Sequence, residues 1–422
     1  FDAAESEVKA RNIAEAKFFR AICYFELTTL WGTPPLVDRV LKNSEEYKVP
    51  NSTAEQLWKF METDLTEAIT SGKLTSKTSL EDRDGGTRAT LEAARCLLGK
   101  IYLYQEKYAD AKSELEKVIS SGKYDLIADV STFYHPASAG CKEYVLECVR
   151  HYDPSNMYSQ EGWFGILANW GFGYGFIAGP EASMHYKFNT TSGYSYFNPS
   201  KSLYDAFVAE EGADGYRLNA WIRTWEQVIA MNIAVNTTTN KYASEGYFRL
   251  KWLASTDDEF VGYWCGNQSN TPVIRYADVL LMAAEACLQA GDQAGADEYL
   301  GRVRDRARLP RKSHVTLSDI KLERRLELAM EGMRFQDLKR WGDAPAVLAD
   351  KGKKLPTFQI VPDPNNDLTT AAGIYNARYT TKTTYVDNEK SLAGWTPNRD
   401  EWLPFPENEL EVNSNLKQNP GY

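Results

Sequence analysis

The chain lacks the residue sets on which most metal and redox chemistry is built. Its four histidines, His135, His151, His185 and His314, are scattered, so no zinc ligand set is present. Six cysteines stand at 23, 96, 141, 148, 265 and 287 without a single CxxC. Cys23, Cys96 and Cys287 fall inside helical patterns and read as small core residues. Cys141 and Cys148 are placed to pair with each other or with Cys265, a choice that spacing leaves open. No GxSxG, HExxH or P-loop occurs, and nothing in the sequence argues for an enzyme. Basic excess is missing too. Lys+Arg of 48 against Asp+Glu of 58 gives a net charge of -10, which would repel phosphate backbones and excludes a general nucleic-acid role.

Long aliphatic runs are also absent. The one uncharged stretch, Gly162 to Pro180, carries six glycines, an Asn and a terminal Pro, and is built on aromatics. A spanning helix wants about 20 helix-competent apolar residues, so this segment is not one. The chain opens on Phe1-Asp2-Ala3 without an initiator Met or apolar leader, which reads as a trimmed form.

What is present begins with helical periodicity. From Asn12 to Trp31, apolar residues recur at Ala14, Phe18, Ala21, Cys23, Phe25, Leu27 and Leu30, and Gly32 with Pro34-Pro35 ends the helix. A second helix is expected from Thr53 to Ser71. Within 88–125, Leu98-Gly99, Tyr102, Ala111, Leu115 and Val118 follow the small–large register that lets two antiparallel helices approach, as in tetratricopeptide repeats. Arg95 departs from it, standing where Leu or an aromatic belongs. The register recurs within 272–310 at Leu280, Ala284, Cys287, Ala296, Leu300 and Val303, which predicts one helical scaffold split by a long insertion. In the insertion, helices are expected near Lys201–Phe207 and Leu218–Val228. A last helix is expected over Leu317–Trp341, followed by a turn-rich tail.

The aromatic surplus is local. Aromatics are 13% of the chain, yet Tyr152–Tyr204 holds 14 in 53 residues. Trp170-Gly-Phe-Gly-Tyr-Gly-Phe176 alternates ring and glycine with period two, which in an extended strand puts four rings on one face. Such rings stack on the C–H faces of sugars while neighbouring polar groups bond hydroxyls. The alternative is an aromatic patch sealing the insertion to the helices. Gly173-x-Gly175-x-x-Ala178 has the spacing of a dinucleotide fingerprint but neither the preceding strand nor the following helix.

Two oxygen clusters, Asp363-x-Asn365-x-Asp367 and Asp257-Asp258-Glu259, leave a structural calcium open and read first as solvated loops. Glu323, Glu327 and Glu331 would share one helix face. Glycosidase carboxylates oppose each other across a cleft, so these three, with Arg324, Arg325, Arg334, Asp337 and Arg340, are expected to form a salt-bridged structural face.

Four blocks then resemble one family. Asn12-Ile-Ala-Glu-Ala-Lys-Phe-Phe-Arg-Ala-Ile-Cys-Tyr-Phe-Glu-Leu27 with Trp31-Gly-Thr-Pro-Pro-Leu-Val37 is similar to the N-terminal signature of the SusD/RagB family. Pro272-Val-Ile-Arg-Tyr-Ala-Asp-Val-Leu-Leu-Met-Ala-Ala-Glu-Ala286, continued by Val303-Arg-x-Arg-Ala307, resembles its middle signature. Glu323-Arg-Arg-x-Glu-Leu-Ala-x-Glu-Gly-x-Arg334 with Asp337-Leu-x-Arg-Trp341 resembles the next, and Leu403-Pro-Phe-Pro406 with Gln418-Asn-Pro-Gly-Tyr422 the last.

The resemblance implies a mainly α fold, with a tetratricopeptide-like helix-pair scaffold, a long irregular insertion and few short strands. It implies a surface-exposed outer-membrane lipoprotein, its lipidated Cys upstream of Phe1, that captures oligosaccharides, or in some members peptides. Its partner would be a TonB-dependent SusC-like transporter. The signature helices carry no ligand residues to transfer. The expected division is 1–125 scaffold, 126–271 aromatic-rich binding lobe, 272–345 scaffold and 346–422 turn-rich segment packed on it. Expected ligand contacts are stacking rings Trp163, Trp170, Tyr174, Tyr194, Tyr196 and Trp264, with Asn169 and Asn267 orienting hydroxyls. No catalytic residue, cofactor or metal ligand is assigned. At about 1 kcal/mol per ring, millimolar-to-micromolar binding is expected. Rival readings are a peptide-capturing lid, a helical-repeat adaptor for a partner protein and, last, a hydrolase.

Overall fold

The computed structural model describes residues 3–149, 199–224, 226–227, 241–242, 245–251, 270–367, 369–370, 373, 378–388 and 393–422. Helices dominate, and the described strands make up two two-stranded sheets and one three-stranded sheet. The mainly α architecture is as the sequence implied.

Helix α1 (Ala3–Trp31) buries Ala14, Phe18, Ala21 and Phe25, whose 4-3-4 spacing makes a single stripe. Each fully buried Phe contributes about 1.5–3 kcal/mol. It stops where Gly32 turns left-handed at φ 78°, and a Cβ there would lie 2.9 Å from the Trp402 ring. Helix α2 (Ala54–Thr70) starts in a capping box between Thr53 and Gln56 and packs antiparallel on α1 through Leu57, Met61 and Leu65.

Helices α3 (Leu91–Tyr104) and α4 (Tyr108–Ile119) form the hairpin read from the tetratricopeptide-like register. A Cβ on Gly99 would sit 2.7 Å from Leu115 Cγ and 3.4 Å from the Ala111 carbonyl oxygen, which is the close approach that spacing required. Arg95, the departure, reaches across the hairpin to Glu114 at 2.7 Å.

After α4 the chain runs into strand β1 (Tyr144–Cys148). Helices α5 (Lys201–Glu211) and α6 (Tyr216–Trp221) follow, with strands β2 (Ile222–Thr224), β3 (Lys241–Tyr242) and β4 (Tyr247–Arg249). The helix expected over Leu218–Val228 therefore starts earlier and ends at Trp221. Ile222 and Thr224 are β-branched, and 222–224 pairs antiparallel with β4 instead. Strand β5 (Thr271–Arg275) then pairs with β1 and leads directly into α7 (Tyr276–Gln289).

Helix α7 is buried along nearly its whole length, because it packs on both α4 and its own partner α8 (Gln293–Arg306). The two hairpins are thus neighbours in one stack, as the recurrent register predicted. A Cβ on Gly295 would meet Asp292 Oδ2 at 2.6 Å and Cys287 Sγ at 2.8 Å, so this hairpin too closes tightly.

The single helix expected over Leu317–Trp341 is two: α9 (Leu317–Glu327) and α10 (Arg334–Arg340). Between them the chain turns through Met330 and Gly332, both at positive φ. Helix α11 (Ala344–Val347) follows. The tail expected to be turn-rich contains a regular hairpin, β6 (Lys354–Pro362) against β7 (Tyr379–Asp387), nine residues on each side. After α12 (Glu407–Val412) the terminus returns to α1: Trp31 Nε1 donates to the Pro404 carbonyl at 3.0 Å, and Asn419 Nδ2 to that of Trp31 at 2.9 Å.

The cysteine assignments need one correction. Cys96 and Cys287 are core residues, but Cys23 is exposed on the outer side of α1. Cys141 and Cys148 are free thiols, and Cys265 lies outside the described residues. No described helix is long and apolar enough to cross a membrane.

Candidate ligand-binding site

All eight expected ligand contacts lie outside the described residues. Trp163, Asn169, Trp170, Tyr174, Tyr194 and Tyr196 fall within 150–198, and Trp264 and Asn267 within 252–269. What the structure describes is the frame from which these two segments depart.

That frame brings their ends together at two places. The first is the β1–β5 ladder. Cys148 is registered opposite Thr271, so the segment leaving β1 and the segment entering β5 share one edge. Asn270 Nδ2 donates to Glu147 Oε2 at 3.0 Å, and the other oxygen of Glu147 accepts from the Gly140 N–H at 2.8 Å. The second place joins Pro199–Ser200 to Lys251. The Lys201 N–H donates to Glu245, Tyr204 stacks on Tyr247 with centroids 4.5 Å apart, and the Leu250 N–H bonds the Trp221 carbonyl at 2.8 Å.

Beneath the frame lies a layer of rings and aliphatics: Val130, Phe133, Tyr144, Phe207, Leu218, Trp221 and Ile222, closed from the scaffold side by Leu326 and Ala329. Beside it runs a buried ion network. Arg275 bonds Glu143 at 2.7 Å, Glu327 at 3.0 Å and Glu331 at 2.6 Å. Glu327 also accepts from Arg217 at 3.0 Å and from Arg306. Arg217 reaches Glu323 at 2.5 Å and Glu211 at 2.7 Å. Burial would push the Glu327 carboxyl up, but Arg306, Arg275 and Arg217 hold it well below the usual range.

The expectation of a salt-bridged helix face is therefore only half right. Glu323, Glu327 and Glu331 are paired, but they are buried and their partners come from other elements. Glu331 lies beyond the end of α9. Lys251 explains that break. Its ammonium donates to the carbonyls of Glu327 and Ala329, both at 3.0 Å, and to Glu331 at 2.5 Å. It also lies 3.8 Å from the Trp221 ring centroid. Burial lowers its pKa to about 8 despite Glu331.

The cation candidates are already satisfied internally. Asp363 Oδ1 accepts from the N–H and side-chain amide of Asn365, and Asp367 Oδ1 from the N–H of Thr369. Asp257, Asp258 and Glu259 lie outside the described residues. A cluster not anticipated from sequence joins Glu116, Cys287 and Asp292 at the α4–α7 contact. Lys112 lies 2.7 Å from Asp292, and burial pushes the Cys287 thiol up to about 12, so it stays protonated.

Comparison with known proteins gives the frame a lineage. The model of the SusD family matches residues 142–422. A SusD-like protein of Bacteroides ovatus is 25% identical over 98% of this chain and 74% of its own length. SusD-like protein P2 of Formosa agariphila is 26% identical over 97% and 74%. Among solved structures, a laminarin binding SusD-like protein superposes with a TM-score of 0.72 at 27% identity, covering 100% of this chain and 80% of that one. Surface glycan-binding protein A from Bacteroides thetaiotaomicron in complex with laminarihexaose shares the fold, with a TM-score of 0.73 at 24% identity over 98% and 79%. By the family match, which spans both edges of the frame and the whole C-terminal half, the chain belongs to the SusD family.

Proposed function

We propose that this chain is a non-enzymatic, cell-surface glycan-binding protein that captures oligosaccharides and passes them to a SusC-like TonB-dependent transporter in the outer membrane. The observation that carries the reading is the likeness, along the full chain, to a laminarin binding SusD-like protein at 27% identity. The ring–glycine alternation of Trp170–Phe176 supports it from the sequence side, because flat rings beside glycine suit sugar faces. In this reading residues 126–271 are the recognition lobe, and the helical stack holds it over the transporter. Trp163, Trp170, Tyr174, Tyr194, Tyr196 and Trp264 stack on the sugar, and Asn169 and Asn267 bond its hydroxyls. The anchor is a lipid on a residue upstream of Phe1.

The test is a polysaccharide panel on affinity gels, followed by calorimetry with laminarihexaose as first probe. Retarded migration on one or more glycans is expected, with loss of binding in Trp170→Ala at unchanged melting temperature. Absence of any glycan shift together with retained binding to peptides would replace this reading with peptide capture. Binding to neither glycans nor peptides, with capture of a partner protein, would leave the adaptor reading.

A further inference from the structure

A cavity of about 650 Å³ opens among the scaffold elements, well apart in sequence from the aromatic insertion. The C-terminal end of α1, the start of α2, the end of α3, helices α10 and α11 and the 395–420 segment enclose it. Its wall is mostly apolar and includes the rings of Trp58, Trp395 and Trp402. A volume of this size suits a small molecule, and such a wall with a few polar groups is how ligand pockets are built.

Most polar groups in that wall are satisfied. Lys339 donates to the carbonyls of Thr29 and Glu401, and its ammonium lies 4.2 Å from the Trp402 ring centroid. Arg340 is held by both oxygens of Glu285. Three atoms are not. Thr28 Oγ1, Trp395 Nε1 and Glu401 Oε2 are shut off from water and have no hydrogen-bond partner among the described residues. Thr28 itself is only 2% exposed. Native proteins seldom leave buried polar atoms unpaired, and three around one cavity call for a common explanation.

We infer that this cavity is a binding site for one neutral sugar ring, distinct from the aromatic lobe and not resting on its reading. The orphan set is one obligate donor, one obligate acceptor and one hydroxyl that can be either. A hydroxyl-rich ring supplies both kinds of partner from adjacent positions. The wall carries one ammonium and one carboxylate, Lys339 and Glu401, so it has no excess charge that would call for a ligand ion of one sign. The indole rings offer the C–H faces of the sugar an apolar surface. Trp395 and Glu401 lie on turns between β7 and α12, so their side chains can rotate toward a ligand without disturbing a helix or strand.

The experiment follows the indole N–H signals of the intact chain, labelled with 15N-tryptophan, during addition of D-glucose, D-galactose and D-mannose. The Trp395 signal, assigned through its backbone, is expected to move saturably in the millimolar range with at least one of them. Thr28→Val, close in volume to the original, is expected to weaken binding about fivefold for its lost hydrogen bond. Trp170→Ala is expected to leave the Trp395 response intact, which separates this site from the lobe. A Trp395 signal that stays still with all three sugars, or that moves equally in Thr28→Val, would overturn the inference. Movement confined to other tryptophans would do the same while sparing the lobe.

Discussion

Arg275 Nη1 donates to Glu143 Oε1 across 2.7 Å, and both side chains are almost fully buried. The two residues are 132 positions apart. Arg275 ends β5 and Glu143 immediately precedes β1, so this one bond fixes the edge from which both candidate ligand segments depart. The bond is anchored to the scaffold in turn, because the same guanidinium also holds Glu327 and Glu331. The edge that frames residues 150–198 and 252–269 therefore rests on buried charges.

Glu327 is the point at which that dependence can be measured. Its carboxylate receives Arg217, Arg275 and Arg306 together, so Glu327→Ala strips compensation from three buried guanidiniums at once. Breaking a buried pair from one side typically costs about 3–5 kcal/mol. Urea denaturation is expected to show a loss of that order, and glycan affinity at low temperature is expected to fall as the frame loosens. A loss below about 1 kcal/mol would mean that the network is not what holds the lobe.

Gly99 tests the scaffold in the same way. A methyl group there would sit 2.7 Å from Leu115 Cγ, so Gly99→Ala forces Leu115 to shift within a filled core. Overpacking of this kind costs about 1–3 kcal/mol, against less than about 1 kcal/mol regained in helix propensity. The double variant with Leu115→Ala is expected to be more stable than the sum of the two single changes predicts, a coupling that a thermodynamic cycle reads directly.

These two sites mark the boundary of what could be read from sequence. The Gly99–Leu115 contact was legible because a helical hairpin places its small and large residues at fixed, short offsets. The partners of Glu323, Glu327 and Glu331 were not, because Arg217, Lys251, Arg275 and Arg306 come from other elements, from 21 to 110 residues away, and no local pattern points to them. Separation in sequence also hid the break after Glu327, where Lys251 binds the carbonyls that leave the helix. The β6–β7 hairpin does carry a local signal, since Thr380, Thr381, Thr383, Thr384 and Val386 are a β-branched run. The lobe was recognised by composition alone, which names its rings without placing them.

The thiols give a test that needs no ligand. Cys23 and Cys148 are exposed, whereas Cys96 and Cys287 are fully buried. Burial raises the Cys96 thiol well above its ordinary value and that of Cys287 to about 12, so neither has a reactive thiolate at neutral pH. Brief alkylation of the native protein followed by peptide mapping is expected to modify Cys23 and Cys148 and to spare Cys96 and Cys287. Denaturant should abolish the difference. Early labelling of Cys287 would mean that the α7–α8 hairpin opens far more readily than its packing implies.

Lys339 carries a prediction about pH. Burial brings its pKa down to about 8, against the opposing attraction of Glu401, while the unfolded chain keeps the ordinary 10.5. Below pH 8 the lysine is charged in both states. Between about pH 8 and 10.5 the folded protein has released that proton while the unfolded chain still holds it. The unfolded state then binds more protons, so this group makes stability rise with pH across that window. Tyrosine and cysteine ionisation act in the opposite direction, which is why the comparison must be with Lys339→Met under identical conditions. From about pH 7 to 9.5, the stability of wild type relative to Lys339→Met is expected to increase by about 1–2 kcal/mol in urea denaturation. A difference that shrinks over the same range would show that attraction to Glu401, not burial, governs Lys339.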